Sequence, residues 1–239
     1  MNDELFDDVL AIKTSAKMAR DDDRWNRAIR MLATAKGLLE DAIAAIAATE
    51  DTPRPAPSGR LYSELADVLG LTGGVQKRWG LSLQGEPRRV HLRASLAAYE
   101  DGFKYEKGLQ HRYASTYNRI NRLVGQVLLN PDILEANTTS FFLILEDLDE
   151  AEKILTTEIR SARQADPWAY CDLGTVRLLK GNWEGTIVIF RDLDRLHPPP
   201  FVYESALDTL TPLSEVAGQQ RPVLSQAVDQ LRRLAHFRR

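Results

Sequence analysis

The stretch PWAYCDLGTVRLLKGNWEGTIVIFRDLDRLHP, Pro167 to Pro198, constrains the fold more than any other part of this chain. Counting Pro167 as position one, Leu173 and Gly174 stand at seven and eight and Gly181 at fifteen. Trp183 stands at seventeen, Thr186 at twenty, Phe190 at twenty-four and Pro198 at thirty-two. Each has a local physical reason. Asp166 before Pro167 caps a helix whose first turn tolerates the missing proline amide. Gly181 ends that helix with a positive φ, which glycine adopts cheaply. Gly174 and Thr186 are small where two antiparallel helices come close, Trp183 and Phe190 fill the gap between them, and Pro198 stops the second helix. The pattern predicts a helix-turn-helix unit.

The same grammar recurs upstream in weaker form. With Trp25 at position seventeen, Ala16, Ala28, Leu32 and Ala35 fall at eight, twenty, twenty-four and twenty-seven. Around residue 80, Gly73 and Gly80 take eight and fifteen, and Ser95, Tyr99 and Gly102 supply the spacing of the second helix. About ten residues too many lie between Gly80 and Ser95, which predicts an inserted loop at LSLQGEPRRVH. Divergent copies of one plan, stacked side by side, account for all three. No segment alternates with period two for long enough to suggest a sheet, so the chain is expected to be all-α.

These positions match the tetratricopeptide pattern of about 34 residues. The segments RLYSELADVLGLTGGVQKRWG, AYEDGFKYEKG, YNRIN and DPWAYCDLGTVRLL look more narrowly like a bacterial group of such proteins. That group is in turn similar to the TRAF-binding repeat region of apoptosis-signal-regulating kinases. The similarity covers roughly residues 60 to 215. It implies a helical interaction scaffold without its own catalysis. It also implies a concave groove lined, in the best repeat, by Trp168, Cys171, Thr175, Leu178 and Leu179. That lining is largely apolar and lacks the Lys and Asn residues of carboxylate-clamp repeats, so it favours a hydrophobic or helical segment; the alternative is that neighbouring elements of this same chain cover the face.

Composition agrees with a folded chain and limits its partners. Of 239 residues, 44% are hydrophobic and 27% charged, too apolar for wholesale disorder. A net charge of -3 argues against binding nucleic acid through bulk charge. One cysteine, Cys171, excludes an intramolecular disulfide, and the four histidines have no metal-ligand spacing. The acidic start MNDELFDDVLAIK and the lack of a long apolar run predict a cytoplasmic protein, which makes the acceptor triplet Asn137-Thr138-Thr139 a chance match. Asp21-Asp22-Asp23 reads as a turn that complements the second helix's N-terminal dipole rather than as a metal site.

Four segments follow: a helical hairpin over 1–50, a proline-rich linker over 51–59, a repeat array over 60–218 and a basic capping helix over 219–239. The linker DTPRPAPSG holds three prolines in nine residues. In the array, YNRINRL places Asn118, Asn121 and Arg122 on one helix face, where amides and guanidinium groups can hold a peptide backbone, carboxylate or phosphate. A buried asparagine that satisfies a neighbouring turn is the alternative for Asn121. GLTGGVQKR lacks the Lys-Ser or Lys-Thr of a phosphate loop, and its glycines read as helix packing.

The expectation is therefore an all-α, TPR-like helical-hairpin solenoid that binds a protein or peptide segment without catalysis, or regulates a neighbouring effector. Candidate partner-binding residues are Asn118, Arg119, Arg122, Trp168, Cys171, Thr175 and Leu178. No cofactor or metal is called for, and neither nucleic acid nor membrane has a strong case. The alternative is a small-ligand or nucleotide sensor or enzyme that uses a pocket near residues 73–78 and 117–122.

Overall fold

The computed structural model describes residues 3–49, 56–107 and 116–237. Among them are ten α-helices, one short 3-10 turn and no strand, so the fold is the all-α helical-hairpin class. None of these helices is long and apolar enough to cross a membrane. The chain divides into two compact units, residues 1–125 and 126–239.

In the first unit, α1 (Asp3–Asp21) and α2 (Trp25–Thr49) form a hairpin, α2 packs on α3 (Ala56–Leu81), and α3 packs along α4 (Gly85–Lys107). α5 (Tyr117–Leu129) follows. The buried residues of α1 are Phe6, Val9, Lys13, Ala16 and Ala19, a stripe spaced by three and four. Opposite it, Ala28, Leu32, Ala35 and Leu39 of α2 are buried. The α1–α2 turn reverses at Asp23, whose φ is +56°. Its neighbours pair with arginines: Asp21 with Arg20 and Arg78, and Asp22 with Arg24.

Two sequence expectations change here. Helix α3 begins at Ala56, so it takes the last four residues assigned to the linker; residues 51–55 lie outside the described residues. Pro57 falls in the first turn, where an amide has no intrahelical acceptor to lose. The predicted loop LSLQGEPRRVH is also not a loop. Only Ser82, Leu83 and Gln84 separate α3 from α4, and the surplus residues lengthen both helices, to 26 and 23 residues. Gly85, at φ +64°, makes the entry to α4, and Pro87 again sits in a first turn.

In the second unit, a 3-10 turn (Pro131–Leu134) precedes α6 (Thr139–Glu158), α7 (Pro167–Leu179), α8 (Trp183–Arg195), α9 (Pro200–Ala217) and α10 (Val223–Phe237). The α7–α8 hairpin has the expected anatomy. Asp166 caps α7 by accepting from the Trp168 N–H, and Gly181 takes φ +80° in the turn. A Cβ at Gly174 would lie 2.5 Å from the Phe190 ring, so only glycine permits this approach. Thr186 and Phe190 are buried beneath it. Thr138 of the Asn137-Thr138-Thr139 triplet caps α6, accepting from the Phe141 N–H. Helix α6 buries Ile144, Leu148, Ala151 and Leu155. A charged cluster joins α6 to α7: Glu152 receives Arg177 at 2.8 Å and Lys180 at 2.6 Å, and Lys180 also meets Asp149. Burial works to raise the Glu152 pKa, but the two cations outweigh it and hold the carboxyl below its usual range.

Candidate functional site

The polar residues predicted on α5 do come together, around a wedge made by Asn118. Its side chain is fully buried. It enters a gap that two glycines leave open: a Cβ on Gly70 of α3 would lie 2.8 Å from Asn118 Oδ1, and one on Gly102 of α4 2.6 Å from its Cγ. The Nδ2 group donates to the Ala66 carbonyl at 2.9 Å and to Glu106 Oε1 at 2.8 Å. One amide therefore bonds to α3 and to α4 while standing on α5. This is a structural role, so Asn118 is tied into the interior instead of presented to a partner.

Glu106 was not anticipated from the sequence. It is 6% exposed, and its Oε1 also accepts from the Asn118 backbone N–H. A carboxylate at the first turn of α5 suits the positive end of the helix dipole. Its other oxygen, Oε2, is buried and has no hydrogen-bond partner. Burial pushes the Glu106 carboxyl up to about 7, against the pull of the Asn118 side chain and of the Asn118 and Arg119 backbone N–H groups. A signal for it existed. The buried stripe of α4 runs Leu92, Ser95, Tyr99, Gly102, Glu106 in steps of three and four, so a carboxylate occupies a core position.

Beside Glu106 opens a cleft of about 230 Å³ lined by Ser63, Glu64, Ala66, Asp67, Glu106, Tyr117 and Asn118. Glu64 and Asp67 are held from behind by Lys13 of α1, at 2.8 and 2.5 Å. Burial tends to lower the Lys13 pKa, yet the two carboxylates leave it raised. The guanidinium groups of Arg119 and Arg122 both stand 4.8 Å from the centre of the Phe103 ring. Arg119 is buried and Arg122 half-buried. Lys77, also buried, donates to Asn121 Oδ1 at 2.8 Å, while Asn121 Nδ2 donates to the Tyr117 carbonyl. Of the alternative pocket expected near residues 73–78 and 117–122, Tyr117 and Asn118 line this cleft, whereas at Gly73 a Cβ would lie 2.8 Å from the Tyr99 ring.

In the second unit the expected groove residues separate. Cys171, Thr175 and Leu178 are buried, because α6, α8, α9 and α10 all pack on α7. These three side chains do not line an open groove. Burial also pushes the Cys171 thiol up, away from the thiolate a nucleophile needs. Trp168, at the start of α7, differs: it is 39% exposed, and its ring lies 6.1 Å from that of Phe201, itself 57% exposed. Among the described residues no group of three or more His, Cys, Asp or Glu side chains is placed to hold a metal ion.

Neither the curated proteins nor the solved structures contain a match to this chain. A protein-family model does match: that of the Tetratricopeptide Repeats-Sensor family, over residues 4–129, just over half of the chain. The match falls on the first unit and the rest of α5, where the sequence grammar was weaker, not on the better-formed α7–α8 hairpin. Families built from such repeats generally mediate protein–protein interaction and are generally not enzymes, which suggests an interaction role here. With its hairpins, its glycine-mediated helix contacts and this match, the chain belongs to the Tetratricopeptide Repeats-Sensor family.

Proposed function

We propose that the chain is a non-catalytic interaction module that binds a segment of a partner protein and regulates it. The observation that carries this reading is the aromatic pair Trp168–Phe201, left in water at the N-terminal ends of α7 and α9. Large aromatic groups are the usual energetic anchors of an interface, because they bury much area with few rotamers to fix. The anchor differs from the groove expected from the repeat pattern, since Cys171, Thr175 and Leu178 are buried. The resemblance to the TRAF-binding region of apoptosis-signal-regulating kinases supports a partner that is itself an effector. The test is affinity capture from the native host with the intact protein and a Trp168→Ser/Phe201→Ser variant of unchanged thermal stability. The reading expects proteins retained by the first and lost by the second; identical sets would remove the pair from the interface.

A second reading, a small-ligand sensor, has its own observation: the cleft at α3, α4 and α5 with an unpaired carboxylate oxygen in its wall. The family's name, which couples these repeats to sensing, supports it. Perturbed ionisable groups in a cleft are frequent at functional sites. In this reading ligand occupancy alters the packing of α5 against α3 and α4, and the partner responds to that change. Thermal shift with a panel of metabolites tests it: saturable stabilisation by one class supports a sensor, and none leaves only the interaction module.

A further inference from the structure

The chemistry of the cleft wall narrows what it can hold. The described side chains lining it include three carboxylates, Glu64, Asp67 and Glu106, and no basic group. Lys13 bonds to Glu64 and Asp67 but does not line the cleft. Arg119 sits over the Phe103 ring and does not line the cleft, although its charge favours the ionised form of Glu106. In the ionised form Glu106 Oε2 is a buried acceptor with no donor, a state that costs free energy until something donates to it. A phosphate or carboxylate ligand brings only more acceptors and more negative charge. A cleft of about 230 Å³ also lies below the roughly 300 Å³ at which sites for drug-sized ligands begin, which leaves room for a small group only.

We propose that this cleft binds a protonated amine, whose N–H groups are received by Glu106 Oε2 inside and by Glu64 and Asp67 around it. The inference rests on the sensor reading and names its ligand class. A charge-assisted hydrogen bond to a desolvated carboxylate is the strong kind, and it satisfies a carboxylate oxygen that the fold leaves unmatched. The Tyr117 ring and the Ala66 methyl supply an apolar wall for the carbon stem. The same chemistry comes from two sources, a free diamine or polyamine and a lysine side chain of a protein. Because Glu106 holds a proton up to about pH 7, the arriving ammonium displaces that proton. Binding therefore strengthens from pH 6 to pH 8, where alkylamines stay charged and the carboxyl does not.

Calorimetry on the full chain tests this, with putrescine, spermidine and Nα-acetyl-lysine methylamide as probes and adenosine monophosphate and acetate as anionic comparators. We expect saturable binding of at least one amine, and weakening by about tenfold or more in Glu106→Gln, the loss of one hydrogen bond to a charged group. A second variant, Ser63→Lys, places a tethered ammonium in the cleft with Glu106 intact; it is expected to block the amines without lowering thermal stability. Preference for the free amines over the lysine derivative identifies a metabolite, and the reverse identifies a partner's side chain. Amine binding unchanged by both variants puts the amines elsewhere and overturns the proposal. Binding of an anionic probe with no amine bound overturns the amine chemistry but keeps the cleft as a ligand site. If no amine binds, the proposal falls, while the sensor reading is decided separately by the wider metabolite panel in thermal shift.

Discussion

The two units use one packing device and bury different chemistry around it. In the second unit Gly174 lets Phe190 come close, with Thr186 one turn away. In the first, Gly73 does the same for Tyr99, with Ser95 in the equivalent place donating to the Gly73 carbonyl at 2.8 Å. What surrounds the device differs. The first unit buries Lys13, Lys77, Glu106, Arg119, Asn118 and Asn121; the buried polar residues of the second, among those described, are Thr175 and Thr186. Burying charge is costly, and an apolar interior of the same volume is often as stable. A fold that closes its helices with glycine and an aromatic ring does not need those charges for closure. Their concentration in one unit is what sets the two interiors apart.

The comparison is broken most directly by removing the rings. Phe190→Ala and Tyr99→Ala should each cost about 3 to 5 kcal/mol, read as loss of stability in denaturant. Similar costs support a shared device. A Tyr99→Ala variant that unfolds at nearly the original denaturant concentration would mean that the polar cluster, not the ring, holds the first unit.

Next in size is a difference in the sign of pH dependence. The folded-state pKa of Glu106 is raised from 4.5 to about 7, so the folded first unit binds an extra proton between those values and its stability falls as pH rises through that window. The upper limit of this loss is roughly 3 kcal/mol, and Glu106→Gln should abolish it. Glu152 in the second unit is shifted the other way. Its contribution is present above the unfolded carboxylate pKa and is lost as pH falls through the lower folded value, by no more than about 1 kcal/mol given its partial exposure. Hydrogen exchange, corrected for its intrinsic pH dependence, should show α5 loosening from pH 5 to 8 and the α6–α7 contact loosening only below pH 5.

Smaller still are Gly174→Ala and Gly73→Ala. Each forces a methyl group into a ring, at about 1 to 3 kcal/mol, offset by up to roughly 1 kcal/mol of helix propensity. Calorimetric melting should rank Gly174→Ala as the worse, because its Cβ would approach the ring to 2.5 Å against 2.8 Å at Gly73. Equal melting temperatures would show that Tyr99 and Phe190 yield equally.

Legibility in the sequence followed the range of the interactions. The α7–α8 hairpin is readable because its cap, turn and close contact all fall between Asp166 and Phe190. The α3–α4 connection misled because Gly85 and Pro87 carry the composition of a loop while serving as the entry and first turn of a helix. Asn118, Arg119 and Arg122 were recognisable as unusual, but the pair of glycines that admits Asn118 lies on two other helices, and nothing local assigns that gap. Glu106 and Lys13 were legible in principle, as charges on the buried phase of otherwise apolar stripes. For Cys171, Thr175 and Leu178 the sequence left an open groove and a covered face as alternatives, since the outcome depends on how later helices return to α7.

Arg221 bears on where this protein can be cut. Its Nε donates to the Leu179 carbonyl at 3.0 Å, answering an otherwise open acceptor at the end of α7, and its guanidinium stands 5.0 Å from the Phe141 ring. Beyond it, Leu224, Ala227 and Leu231 of α10 are fully covered. Trimming the basic C-terminus back to residue 220 would therefore strip a wall from the second unit, and any activity lost with it would report collapse. Charge reversal at the exposed Arg232 and Arg233 separates the two effects, because it alters the tail's electrostatics and leaves the wall standing.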